Sequence, residues 1–166
     1  MLPIAGGWLR LTMQRVAPFN EPARIITLHR LGRAALATAS LGKSPTERQT
    51  LYRQVDVYSR RLSKEAGAWP QALGQHLHAA RLAQTLGAHP DTFAALAQAR
   101  KSCAAVHLRI HTATLDHCQA WLQAGPSGAA RMREIEAEVA SLGARAPARL
   151  LQLYLPLPLG SRPLDG

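Results

Sequence analysis

Histidine, cysteine and carboxylate side chains are the groups here that could do chemistry, and their spacing is the first test. His107 and His111 lie four apart, with Cys103 four before His107 and Cys118 seven after His111. On one continuous helix all four project within about 80° of one another. Imidazole and thiolate at such spacing are what a transition metal takes. The residues between, Leu108-Arg109-Ile110, lack the glutamate of His-Glu-x-x-His chemistry, and Arg109 adds a repelling charge. Cys103 also fits a hydrophobic seam, as buried structural thiols do. His76 and His78, two apart, point to different sides of a helix and read as facing solvent or RNA. His117 and Cys118 diverge as adjacent helical positions, and Asp116 lies on another side, so no nucleophile pair forms. Glu134, Glu136 and Glu138 read as a solvated face. Gly6-Gly7 and Gly125-Pro126-Ser127-Gly128 are too short for a phosphate-cradling loop. The residues therefore predict no catalytic group, no metal and no cofactor.

Charge speaks louder than any motif. The 166 residues hold seventeen arginines, three lysines and only ten acids, a formal net charge of +10. Such an excess predicts polyanionic partners rather than a fold. Arginine and alanine also rise together in high-GC coding sequence, so part of the excess has a compositional source. The charge is uneven: residues 1–61 hold ten basic and three acidic side chains, residues 62–133 seven and three, residues 134–166 three and four.

The elements that must carry these residues are helices. Alanine and leucine dominate an apolar fraction of 47%, while aromatics reach only 5%. The pattern predicts an all-α bundle of about five helices, preceded by a short strand or irregular segment within the first sixteen residues. A first helix is expected over 21–41, with Asn20 as cap and Gly42 as stop. A second starts at the capping box Ser44-Pro45-Thr46-Glu47 and runs to about residue 66. Its Leu51, Val55, Tyr58 and Leu62 form one face, and Arg53, Arg60 and Lys64 fall within about 40° of one another on the other. A third spans about 70–86, weakened by Gly74. A single long helix is expected over 91–124, with a small-residue seam through Leu96, Ala99, Cys103, Val106, Ile110, Ala113, His117 and Ala120. A fifth follows over 128–142. Residues 1–146 read as one basic bundle, and 147–166 as a leucine- and proline-rich segment that packs on the bundle or on a partner. Cys103 and Cys118 read as free thiols in a reducing compartment. With no membrane span and no signal peptide read in the sequence, the expected location is cytoplasmic.

Arginine binds phosphate bidentately and stays charged, and scarce aromatics leave few base-stacking platforms. The expected function is non-catalytic contact with a nucleic-acid backbone, RNA or single-stranded DNA, with little sequence preference. The candidate contacts are Arg24, Arg30, Arg33, Lys43, Arg48, Arg53, Arg60, Arg61 and Lys64. The leucine-rich C-terminus is expected to dock on other protein subunits. In size, charge and helicity the chain resembles the small helical subunits of class 1 CRISPR effector complexes. That resemblance implies a non-catalytic role supporting guide and target nucleic acid; it rests on no motif and carries over no residue. Two other readings stand beside it. One is a helical adaptor of a secretion or conjugation machine, in which the arginines only solvate the surface. The other is a helix-turn-helix-like DNA-binding protein, with Arg48, Gln49, Arg53 and Gln54 at the start of the second helix.

Overall fold

The computed structural model describes residues 21–41 and 44–157. Among these the chain forms seven α-helices and no strand: α1 (Glu21–Ala39), α2 (Pro45–Ser63), α3 (Ala68–Leu86), α4 (Pro90–Ala105), α5 (Arg109–Gln123), α6 (Gly125–Ser141) and α7 (Pro147–Tyr154). The segment expected as a strand lies outside the described residues, as does Lys43.

The all-α class follows the composition, but seven helices stand where about five were expected. The long helix expected over 91–124 is broken into α4 and α5. His107 takes a left-handed backbone, φ 57°. Its N–H donates to Ala104 O at 3.1 Å, and that of Leu108 donates to Cys103 O at 2.9 Å. These two bonds are a Schellman C-cap with histidine in the position glycine usually holds. The second difference is α7, where Pro147 opens a separate eight-residue helix. The capping box at Ser44 is formed as expected: Glu47 N–H donates to Ser44 Oγ, and Ser44 N–H to Glu47 Oε2. The second helix stops at Ser63, three residues earlier than its apolar pattern suggested.

Helix α3 is the centre of the bundle and touches α1, α2, α4 and α5. It buries Ala72, Leu73, Gly74, His76, Leu77, Ala79, Ala80 and Ala83. Small residues let its neighbours approach closely. Ser59 Oγ of α2 donates to Gly74 O at 2.9 Å, and a Cβ on Gly74 would stand 2.8 Å from Ser59 O. Gly74, a helix-weakening residue in isolation, is therefore the contact that seats α2. Around this centre Ile25, Leu28, Leu36, Val55, Leu62, Leu77, Leu96 and Leu115 fill the main core. A smaller cluster of Ile135, Val139 and Leu151 joins α6 to α7.

The leucine-rich segment shares the bundle's core as far as residue 157. Leu155 and Leu157 are buried in the main cluster, and Gln84 Nε2 donates to Pro156 O. Leu153 remains 61% exposed and Leu142, at the end of α6, 55%. Among the described residues no helix is long and apolar enough to cross a membrane.

Candidate functional site

Two regions collect polar side chains: the outer face of α2 and the interior where α1, α3 and α5 meet. On α2, Val55, Ser59 and Leu62 are buried. Arg53, Arg60 and Lys64 stand opposite them, all exposed, with Val57 between and Arg61 beside them. At 1.5 Å per residue the ridge from Arg53 to Lys64 is about 16 Å long. Its basic groups lack acidic partners among the described residues. The nearby acids are engaged elsewhere: Asp56 with Arg81 at 2.7 Å, Glu65 with Arg24 at 2.5 Å, and Glu47 in the capping box.

The remaining candidates separate from this ridge. Arg48 is exposed near the start of α2 but lies about 140° round the helix from Arg53, beside Tyr52. Arg30 is exposed on α1. Arg24 is half-buried and held by Glu65, so its charge is already answered. Arg33 is also half-buried, and its guanidinium lies 4.4 Å over the Tyr154 ring. Burial draws Arg33 below its ordinary value, and Tyr154 partly offsets this. Arg24 and Arg33 are thus withdrawn from the surface set the sequence proposed.

The interior region went unread in the sequence. His29 of α1, His76 of α3 and His111 of α5 meet in a triangle, with ring centroids 5.3, 5.2 and 5.1 Å apart. Their exposures are 5%, 0% and 8%. His29 Nε2 and His76 Nδ1 face each other at 3.4 Å. On its other side His76 Nε2 lies 3.2 Å from Thr114 Oγ1. Thr114 donates its own proton to His111 O at 2.8 Å. The hydroxyl can therefore only accept from His76, which makes Nε2 the protonated nitrogen and Nδ1 the acceptor that faces His29 Nε2. His111 Nδ1 is buried without a hydrogen-bond partner, and its ring meets Tyr154 edge-on at 5.0 Å. Burial pushes all three imidazoles down, His111 to about 4. The neighbouring rings add to this for His29 and His76, and the Arg33 charge adds to it for all three. No carboxylate among the described residues pairs with the cluster. As the rings stand, no three His, Cys, Asp or Glu side chains among the described residues are placed to hold a metal ion.

No protein-family model, curated protein or solved structure matches this chain.

The grouping the sequence suggested is dispersed. His107 is exposed at the α4–α5 break, while His111 turns inward. Cys103 and Cys118 are free and buried, and burial pushes both thiols up to about 12. Cys103 Sγ points at Ala72 O, 3.8 Å away. His117 meets Glu136 at 3.1 Å and Asp116 meets Arg100 at 2.5 Å, so neither serves Cys118. His76, expected to face solvent or RNA, is fully enclosed, whereas His78 is exposed. The burial of two of them, though not their meeting, had a signal: His29 follows Ile25 by four and His76 follows Leu73 by three. Both therefore sit on apolar stripes.

Between α5, α6 and α7 lies an apolar cleft of about 420 Å³. Ile110, Ala113, Val139, Leu142 and Leu150 line it, with Tyr154 also on the wall and Arg109 and Glu138 as its charged groups.

Proposed function

We propose that this chain is a non-catalytic helical subunit that binds the phosphate backbone of RNA or single-stranded DNA through the outer face of α2. The observation that carries this reading is the ridge of Arg53, Arg60 and Lys64, with Arg61 at its side, exposed and without acidic partners among the described residues. Arginine on a rigid helix offers forked donors to phosphate oxygens at little ordering cost. Such contacts neutralise charge without reading bases, so they confer affinity with little sequence preference. The aromatic residues Tyr52, Tyr58, Trp69, Phe93 and Trp121 pack against the core, which leaves backbone charge as the main source of affinity.

The apolar end of the molecule has a separate role in this proposal. The cleft beside Leu142 and the exposed Leu153 offer a surface for a neighbouring protein subunit in a nucleoprotein assembly. In this the chain acts as the small helical subunits of class 1 CRISPR effector complexes do.

The test is binding of the full chain to labelled single- and double-stranded oligonucleotides of several sequences between 50 and 200 mM salt. The expected result is comparable affinity across sequences and a steep fall with salt. Absence of binding at 50 mM salt contradicts the proposal. Strong preference for one duplex sequence would replace it with the helix-turn-helix reading.

A further inference from the structure

We propose that the cleft between α5, α6 and α7 is a self-association face, occupied by a second copy of this chain across a twofold axis. This names the neighbouring subunit of the docking role proposed above and rests on that reading of the cleft. It does not depend on the nucleic-acid face of α2.

An isologous contact requires a patch that is complementary to itself. The apolar half of that requirement is met by the walls. Ile110 and Ala113 of α5, Val139 and Leu142 at the end of α6, and Leu150 of α7 line about 420 Å³ of open cleft. Leu142 and Leu153 are both more than half exposed, and Leu153 stands about one turn on from Leu150 along α7. Each copy thus carries an apolar hollow with exposed leucines at its edge, and the leucines of one copy fill the hollow of the other.

The rim supplies the charged half. Arg109 stands on the α5 wall and Glu138 on the α6 wall, both exposed. Among the described residues neither forms an ion pair. Glu138 acts on Arg131, but that guanidinium already holds Glu134 at 2.9 Å. A twofold axis through the cleft sets each Arg109 against the Glu138 of the second copy, so one cation and one anion on facing walls answer each other twice. A partner of a single sign would satisfy only one of them. A small molecule fits less well, because these charges lie on the exposed rim instead of converging inside, and Tyr154 is engaged by Arg33 and His111.

The net charge of +10 opposes contact between copies elsewhere on the surface, but not at this end. Residues 134–166, which supply the α6 and α7 walls, hold three basic and four acidic side chains. The basic ridge belongs to α2, which packs on α1 and α3, and pairing at the cleft leaves it free on both copies.

The experiment is sedimentation equilibrium of the full chain, without nucleic acid, over a wide range of concentration. A reversible monomer–dimer equilibrium is expected, and Leu142→Gln should shift it to monomer. Arg109→Glu and Glu138→Arg should each weaken the dimer by at least about tenfold, because each sets like charges opposite one another at two places. Mixing these two single variants in equal amounts should restore the dimer, since every facing pair is then again opposite in sign. A merely structural effect on the monomer would not be rescued in this way. A wild-type chain that stays monomeric throughout overturns the inference, as does a dimer indifferent to Leu142→Gln and to both charge reversals, or a mixture that fails to restore association. A monomer that still binds oligonucleotides overturns self-association alone and leaves the α2 reading in place, whereas a cleft-dependent dimer that binds none does the reverse.

Discussion

The outer face of α2 and the centre of α3 both hold basic side chains, and the fold treats them in opposite ways. On α2 the guanidinium groups stand in water, with the nearby acids engaged elsewhere. Around His76 three imidazoles are shut away from water and from every carboxylate among the described residues, and burial holds them neutral. Arg33 lies between these extremes, half-buried and resting on an aromatic face instead of an acid. The lesson is that formal charge alone does not mark a polyanion surface. In the proposed reading the ridge of α2 counts toward it, whereas Arg24, Arg33 and the buried histidines do not.

The largest effect concerns the groups kept neutral inside. Thiols pushed from about 9 to about 12 hold roughly a thousandfold less thiolate at pH 8. Cys103 and Cys118 should therefore resist a disulfide-exchange reagent in the native chain and react promptly once it is unfolded. Rapid labelling of either thiol under native conditions would break the contrast between interior and ridge.

Acid provides the next test. His111 titrates near 6.5 when unfolded and near 4 when folded. Below pH 6.5 the unfolded chain takes up a proton that the folded chain refuses, so stability falls as pH falls, and it levels off below about 4. From pH 7 to pH 5 His111 alone should cost the chain about 2 kcal/mol. His29 and His76 act in the same direction, and Arg33 reinforces all three. Urea unfolding at the two pH values measures this, and His111→Leu should flatten the difference. Equal midpoints in the wild-type chain would show that the cluster is not held neutral.

A smaller effect links the two regions. Gly74→Ala places a Cβ 2.7 Å from Ser63 Oγ and 2.8 Å from Ser59 O, so α2 must move away from α3. The strain, roughly 1–3 kcal/mol, outweighs the roughly 1 kcal/mol of helix propensity gained. A melting temperature lower by several degrees is expected, and an unchanged or raised value would mean that α2 is not seated on Gly74.

Local signals carried most of the fold, and their limits explain what was missed. The capping box at Ser44 and the glycine at 143 mark a start and a stop with the residue types those geometries favour. Ala144 and Gly143 close α6 with the same two backbone bonds that Leu108 and His107 use to close α4. The first was readable because glycine holds the left-handed position. The second was not, because histidine there looks like one more turn of a heptad seam. The basic ridge was legible because its geometry is set within one helix, by Val55 and Leu62 on the opposite side. The histidine cluster was not, because residues 29, 76 and 111 meet only through the packing of three helices. The seven helices in place of about five follow from the break at His107 and from α7.

The central claim is that the α2 ridge, and not the basic composition as a whole, holds nucleic acid. The direct measurement is the salt dependence of oligonucleotide binding by the Arg53→Ala, Arg60→Ala, Lys64→Ala triple variant beside wild type. These exposed substitutions should each change stability by no more than about 0.5 kcal/mol, so the fold is retained. Each lost phosphate contact lowers the slope of log affinity against log salt by about 0.7 on single strands and about 0.9 on duplex. A slope shallower by about 2 on single strands and about 3 on duplex, with affinity reduced equally for every sequence, is the expected result. An unchanged slope and affinity would place the contact elsewhere and contradict the account.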